Sequence, residues 1–168
     1  MVDDQAPVTS FSNRDFRNVM GCFATGVTVV TTCGAAGELV GMTANSFSAV
    51  SLQPPLVLFC IDRGANCFAV FEAADSFAVN ILTAKQTNIS AIFSSNDDDR
   101  FAKVGSHIGR TGAPILEQAL ATIECTVHAR YDGGDHEIVL GHVRQMHMRQ
   151  DQQPLLYYAG SYGTLAAT

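Results

Sequence analysis

VTVVTTCGAAGELVGMTANSFSAVSLQPPLVLFCI, residues 27–61, is the stretch on which the fold turns. VTVVTT (27–32) is dense in β-branched residues, GAAG (34–37) reads as a turn, and LVGMTA (39–44) is its hairpin partner. NSFSAVSL (45–52) alternates small polar and apolar side chains. Pro54 and Pro55 interrupt the ladder, and LVLFCI (56–61) is continuously apolar, as a buried strand requires. Three or four strands in 35 residues leave little room for helix.

The same texture continues outward. FAVNIL (77–82) predicts another strand, and AKQTNISAIFS places Ile89, Ile92 and Phe93 on one side of a helical segment begun by Lys85 and Gln86. Residues 102–118 hold several glycines and Pro114, so regular structure is not expected there. TIECTVHARY (122–131) alternates, with Ile123, Cys125, Val127, Ala129 and Tyr131 on one face; DGGD (132–135) turns the chain and HEIVLGHV returns it. A last short strand is expected around LLYY (155–158). Towards the N-terminus, Ser12 can cap a short helix with Asp15 in its first turn, Phe11 and Phe16 form a hydrophobic staple, and Phe16, Val19, Met20 and Phe23 make one apolar stripe. That stripe needs a sheet or a second subunit to cover it.

At 168 residues and 47% hydrophobic content the chain is one domain's worth of compact protein. We expect a flexible leader over 1–10, one domain over 11–165 and a tail over 166–168. Many short strands with two helices predict a closed or partly closed antiparallel barrel, which removes exposed sheet edges. A Rossmann unit is a poor match, since no GxGxxG follows a strand. The net charge of −6 and the absence of a Lys/Arg cluster argue against nucleic acid, though not against a phosphorylated small molecule. No run of about 18 apolar residues predicts a membrane span, and the acidic start is no signal peptide. Five widely spaced cysteines give neither a disulfide framework nor metal knuckles. Four read as reduced core residues of a cytoplasmic protein, with Cys67 set in a loop.

GMTANSFSAVSLQPPL (41–56) gathers Thr43, Asn45, Ser46, Ser48 and Ser51 between apolar strands. Alternation alone makes them a polar outer face. The functional reading is that hydroxyls and amides converge on an extended polar ligand, with Ser46 and nearby backbone N–H groups at its phosphate. Arg100 can answer a phosphate or one of its acidic neighbours Asp97, Asp98 and Asp99; Phe101 is core or a ring platform. His136, after the DGGD turn, is either a solvent-satisfied turn residue or a site residue. No HExxH, other metal set, or GxSxG elbow is present.

The ordered blocks ATGVTVVTT, GMTANSFSAVSLQPPLVLFCI, FAVNIL, DRF, GDHEIVLGHV and PLLYYAGSYG resemble the flavin reductase family of two-component monooxygenases over residues 14–163. The resemblance implies a mainly β, FMN-binding split β-barrel, Greek-key-like with short peripheral helices, usually a homodimer with flavin near the subunit interface. It implies that NADH or NADPH reduces FMN or FAD, which then serves a separate flavin-dependent monooxygenase. Carried over by position, Thr43, Ala44, Asn45 and Ser46 line the flavin, with Ser51 near the isoalloxazine edge. Cys60, Ile61, Arg63, Asn66 and Cys67 form a second flavin-contacting strand and loop. This loop departs from the pattern, because Arg63 is followed by Gly64, Ala65 and Asn66 where hydroxyls are usual. Arg100, Phe101 and Tyr162 complete the binding set, and His136 faces the nicotinamide as the one catalytic candidate. A flavin-retaining oxidoreductase acting on another acceptor, or a non-enzymatic FMN-binding module, is the competing reading. Rapid oxidation of NADH or NADPH with excess free flavin separates the three.

Overall fold

The structure is a computed structural model and describes residues 11–97 and 99–166. The expected leader, Asp98 of the acidic run and the last two residues of the tail lie outside the described residues.

One antiparallel sheet of seven strands dominates. In chain order its members are β2 (Thr28–Cys33), β3 (Leu39–Ala44), β4 (Ser48–Leu52), β5 (Pro55–Asp62), β6 (Ser76–Ile81), β9 (Ala121–Gly133) and β10 (His136–Met148). They lie side by side in the order β3-β2-β6-β9-β10-β5-β4. The edge strands β3 and β4 are therefore consecutive in sequence. Strands sit about 4.8 Å apart, so a flat sheet of this size would hold its edges about 29 Å apart. Only Asn45, Ser46 and Phe47 join them, a link of at most about 14 Å. The sheet must curl until its edges face each other. The result is a split barrel, open along the β3–β4 seam.

Inside it, Val30, Phe59, Ile61, Phe77, Val79 and Val139 are buried. The Phe59 ring meets those of Phe71 and Phe77 edge-on at 5.8 and 4.9 Å. A second apolar cluster under helix α3 (Thr87–Ser94) joins Val29, Leu82, Phe93, Leu116 and Leu155. Asn80, wholly buried, ties the layers: its amide donates to the Val29 carbonyl, and its Oδ1 accepts from the Leu116 N–H at 2.8 Å.

Three expectations need correction. Residues 102–118 are not irregular throughout, because Ser106–Ile108 (β7) and Pro114–Leu116 (β8) pair as a small hairpin. It packs on β6 and β2, and the turn between its strands meets β9, where buried Glu124 accepts from the Thr111 N–H at 2.9 Å. Alternation along 122–131 also fails at its far end, where Tyr131 is 55% exposed. The register shift at Leu140/Gly141 passes from Ala129 to Val127 and skips His128, which changes the facing of later residues. Of the cysteines, Cys22 is exposed and Cys67 is buried, the reverse of the reading from neighbours; all five are free.

The other elements are peripheral. Helix α1 (Asn13–Met20) has the expected capping box between Ser12 and Asp15, and Phe11 lies 6.1 Å from Phe16. Among the described residues nothing covers its stripe: Phe16, Val19 and Met20 are each more than half exposed. The two-residue β1 (Thr25–Gly26), β11 (Leu156–Tyr158) and β12 (Ser161–Gly163) form a small sheet beside it. Helix α2 (Phe68–Ala73), absent from the sequence reading, is anchored by Arg130, which donates to the Phe71 and Ala74 carbonyls and pairs with Glu137 at 2.9 Å. No helix among the described residues is long and apolar enough to cross a membrane.

Candidate functional site

A cavity of about 360 Å³ opens at the seam of the barrel. One wall is the end of β3 and the link beyond it, Met42 to Ser46. Two hydroxyls of this wall are engaged by the protein. Thr43 Oγ1 donates to the Ser90 carbonyl at 2.7 Å and fixes β3 to α3. Ser46 Oγ accepts from the Cys60 N–H at 3.0 Å and donates to the Cys60 carbonyl at 3.1 Å. Ser48 pairs with Leu58, so Ser46 continues that ladder with a side chain where the backbone of β4 has turned away. Asn45 differs: it is exposed to the cavity, and its carboxamide bonds to none of the described residues.

The facing wall is β5. Cys60 and Asp62 line the cavity, and the intervening Ile61 is wholly buried in the core. This is the two-residue alternation of a strand. Beyond β5, Ala65, Asn66 and Cys67 form the floor, held by α2 and its Arg130 anchor. Burial pushes the Cys67 thiol up while the Arg100 guanidinium pulls it partly back; burial likewise raises Cys60. Both thiols stay protonated at neutral pH and act as soft apolar lining.

Two ionisable groups complete the rim. Among the described residues Arg100 is held by backbone: Nε donates to the Asp97 carbonyl at 2.8 Å and an Nη to the Gly41 carbonyl at 2.7 Å. The Asp97 carboxylate is instead paired with Lys103, which holds it below the usual carboxylate range. Arg100 thus brings a positive charge to the cavity on a guanidinium oriented by backbone. His136 opens β10 opposite Asp62, and its Nδ1 lies 2.8 Å from Asp135 Oδ1, which lowers the Asp135 pKa. With Nδ1 so engaged, Nε2 is the nitrogen left for another partner.

Nine candidates therefore meet: Thr43, Ala44, Asn45, Ser46, Cys60, Asn66, Cys67, Arg100 and His136 all line one cavity. Five lie elsewhere. Ile61 faces the core for the reason given. Ser51 stands near the far end of β4, past the irregularity at Ala49/Ser51. Arg63 turns outward to Asp132 at 3.0 Å and lies over the Phe68 ring. Phe101 packs edge-on against Phe93 at 5.2 Å, as core rather than platform. Tyr162 reaches the site only indirectly, its hydroxyl 2.8 Å from Ser90 Oγ, and Ser90 is the residue that holds Thr43. Gln86, at the start of the helical segment, is buried and bonds the Thr83 N–H and the Glu117 carbonyl.

The sequence reading missed Asp62, Phe93, Ser94, Ser95 and Asn96. Asp62 was accessible by parity from Cys60. The end of α3 was not, because only the curl of the barrel brings it to the seam.

Two more cavities adjoin. An apolar one of about 670 Å³ lies between α1 and the last hairpin, walled by Phe16, Met20, Phe23 and Tyr157, and shares Asn45. Thr25 also lines it, and its hydroxyl is buried without a partner among the described residues. A small one of about 120 Å³ lies beside β3 and shares Asn66, Cys67 and Arg100. The main cavity thus shares Asn45 with the apolar one, and Asn66, Cys67 and Arg100 with the small one. Among the described residues no group of three His, Cys, Asp or Glu could hold a metal ion.

Comparison with known proteins agrees. The model of the flavin reductase-like domain family matches residues 20–166. The chain is 44% identical over 151 residues to the reductase subunit HsaB of a flavin-dependent monooxygenase from Mycobacterium tuberculosis, covering 89% of this chain and 80% of that one. Its structure is similar to nitrilotriacetate monooxygenase component B from Mycobacterium thermoresistibile, with TM-score 0.87, 43% identity, and 91% and 86% of the two chains covered. It is equally similar to the NADH:FAD oxidoreductase SgcE6 of Streptomyces globisporus, solved with NAD and FAD fragments, with TM-score 0.88, 39% identity, and 96% and 98% covered.

Proposed function

The chain belongs to the flavin reductase-like domain family, and from that premise we propose how its own residues serve the reaction. The protein is an NAD(P)H:flavin oxidoreductase that acts on FMN or FAD and supplies a separate monooxygenase component. The bound flavin supplies the redox chemistry, taking a hydride from the nicotinamide, so the protein needs no nucleophile or metal.

The observation that carries the site assignment is the convergence of Asn45, Asn66, Arg100 and His136 on one cleft at the barrel seam. Asn45 and Asn66 offer amides to the flavin's polar edges. Arg100, already aligned by two carbonyls, answers its phosphate. Thr43 and Ser46 hold the wall rather than the ligand. His136, oriented by Asp135, positions the nicotinamide; it is not an obligatory acid or base, since hydride transfer takes no proton from imidazole.

The working unit in this reading is a homodimer. The uncovered stripe of α1 and the cavity beneath it, reaching Asn45, support a second copy closing the apolar end of the cleft. Five free cysteines accord with the cytoplasm. An anaerobic assay crossing NADH and NADPH with FMN, FAD and riboflavin tests the function. Rapid flavin reduction by one donor is expected, and no reduction in any combination would refute it.

A further inference from the structure

We infer that a cavity on β9 and β10, away from the seam, is a second small-molecule site, for an amino-acid-like ligand whose primary ammonium meets Glu124 and whose carboxylate meets Arg149. The cavity holds about 380 Å³ and shares no lining residue with the three cavities at the seam. Gln145 stands opposite Glu124, and His147 opposite Thr122. Antiparallel partners project to one face of a sheet, so these four side chains line the cavity together, with His107 of β7 on its wall.

Glu124 is the residue that asks for a ligand. It is only 5% exposed. Thr111 donates to its Oε2 from the N–H at 2.9 Å and from the hydroxyl at 3.2 Å. Among the described residues no cation pairs with this carboxylate, and Oε1 has no hydrogen-bond partner but opens to the cavity. A buried carboxylate is costly unless another charge answers it. Among the described residues no three of His, Cys, Asp or Glu could hold a metal ion there, so an organic cation is the fitting answer. The Thr122 hydroxyl and the Gln145 carboxamide line the same cavity. With Oε1 they give an ammonium one acceptor for each of its three N–H bonds.

The other end carries the opposite charge. Gln118 sits at φ 61°, a left-handed conformation that side chains disfavour, and its Oε1 accepts from an Arg149 Nη at 2.6 Å. This neutral acceptor orients the guanidinium without cancelling its charge, and Arg149 makes no ion pair among the described residues. Glu117, Gln118 and Arg149 also line a further cavity of about 430 Å³, where Lys85 adds a second positive charge. The Glu117 carboxylate lies against Gly105. Gln145 and Arg149 are four residues apart, about 13 Å along an extended strand. A hydrogen bond of about 2.9 Å at each end leaves about 7 Å between the ligand's two charged groups, the span of an ω-amino acid with a five-methylene chain.

Isothermal titration calorimetry of the full chain tests this, with ε-aminocaproate as the probe and hexylamine and hexanoate as controls. The probe is expected to bind with a Kd of about 1 mM or tighter, and each control at least about tenfold more weakly. Glu124→Gln keeps an acceptor for Thr111 and removes the charge; it and Arg149→Met should each weaken the probe at least about tenfold. Saturating FMN should leave the probe's Kd within about twofold, because the cavities share no residue. No saturable heat up to about 20 mM probe, hexylamine binding as tightly as the probe, or loss of the probe on adding FMN would each overturn the inference. None of those three measurements needs a folded variant. A folded Arg149→Met variant that binds the probe as the parent does would overturn it equally.

Discussion

Replacing Asn45 by Ala separates ligand contact from architecture. The Asn45 carboxamide is exposed to the cleft and bonds to none of the described residues. Its removal leaves no buried group orphaned, so folding stability should change by no more than about 0.5 kcal/mol. Binding is different. A hydrogen bond made within a cleft and then lost costs about 1–3 kcal/mol, or about 5- to 140-fold in Kd. The neighbouring hydroxyl supplies the control. Ser46 Oγ satisfies both the N–H and the carbonyl of half-buried Cys60, so Ser46→Ala should lower stability by about 1–3 kcal/mol. Fluorescence titration gives Kd, and urea unfolding of the same samples gives stability. Asn45→Ala should move the first and Ser46→Ala the second. A folded Asn45→Ala variant with the parent's Kd would remove Asn45 from the site.

Five further outcomes are expected. His136→Ala should keep most flavin affinity but slow reduction of the bound flavin or weaken the donor, which stopped-flow traces at several donor concentrations resolve; the parent rate would return His136 to a solvent-facing turn residue. In the same variant the Asp135 pKa should rise towards its ordinary value, because His136 is what lowers it. The sign follows: the pair stabilises the fold above the usual carboxylate range and is lost as pH falls through the lowered pKa, and a carboxyl NMR titration unmoved by the substitution would contradict it. Gly41→Ala would set its Cβ 2.8 Å from the buried Phe93 ring, for a loss of about 1–3 kcal/mol in thermal unfolding. Thiol alkylation read by mass spectrometry should modify exposed Cys22 first and Cys125 last, since burial pushes the Cys125 thiol up to about 12. Light scattering should report a dimer at micromolar concentration, and a stable monomer with or without flavin would exclude that state.

The strands were legible wherever one physical signal sufficed. A β-branched run located β2, the GAAG turn located β3 as its hairpin partner, and the unbroken apolar run located β5, of which only the Val57, Phe59 and Ile61 face is buried. Of the candidate cleft, Thr43, Asn45 and Ser46 stood out as polar residues gathered between apolar strands, whereas Ala44 and Cys60 were named only through the family resemblance. The site blurred where long-range contacts decide facing. Arg63 sits one residue past the end of β5, and no local pattern distinguishes turning to Asp132 from turning into the cleft. Tyr162 and Phe101 belong to blocks that do pack near the site, yet one layer behind it. The hairpin at Ser106–Leu116 was hidden by its glycines: the sequence signature of a loop and that of a tight two-strand ribbon differ little over so few residues.

The seam explains why the cleft is where it is. A closed barrel would use up the edge groups of β3 and β4 on each other, whereas the link at Asn45–Phe47 keeps those edges close but unpaired. Unpaired edges are usually a hazard, since they template aggregation. Here each is managed locally: Arg100 takes the Gly41 carbonyl on one edge, and Ser46 takes both backbone groups of Cys60 beside the other. What stays unsatisfied between them is a strip of backbone and amide groups of fixed geometry, held on rigid strands. In the flavin-site reading proposed above, the planar ring of the flavin pairs with this strip. The same gap makes the ligand an element of the architecture, so flavin binding should stabilise the barrel against opening at β3 and β4. Hydrogen exchange at the amides of Leu39, Gly41 and Thr43 should slow on adding flavin, while amides within the β9–β10 hairpin stay unchanged. Uniform slowing across the sheet, or none at the β3 edge, would place the ligand somewhere other than the seam.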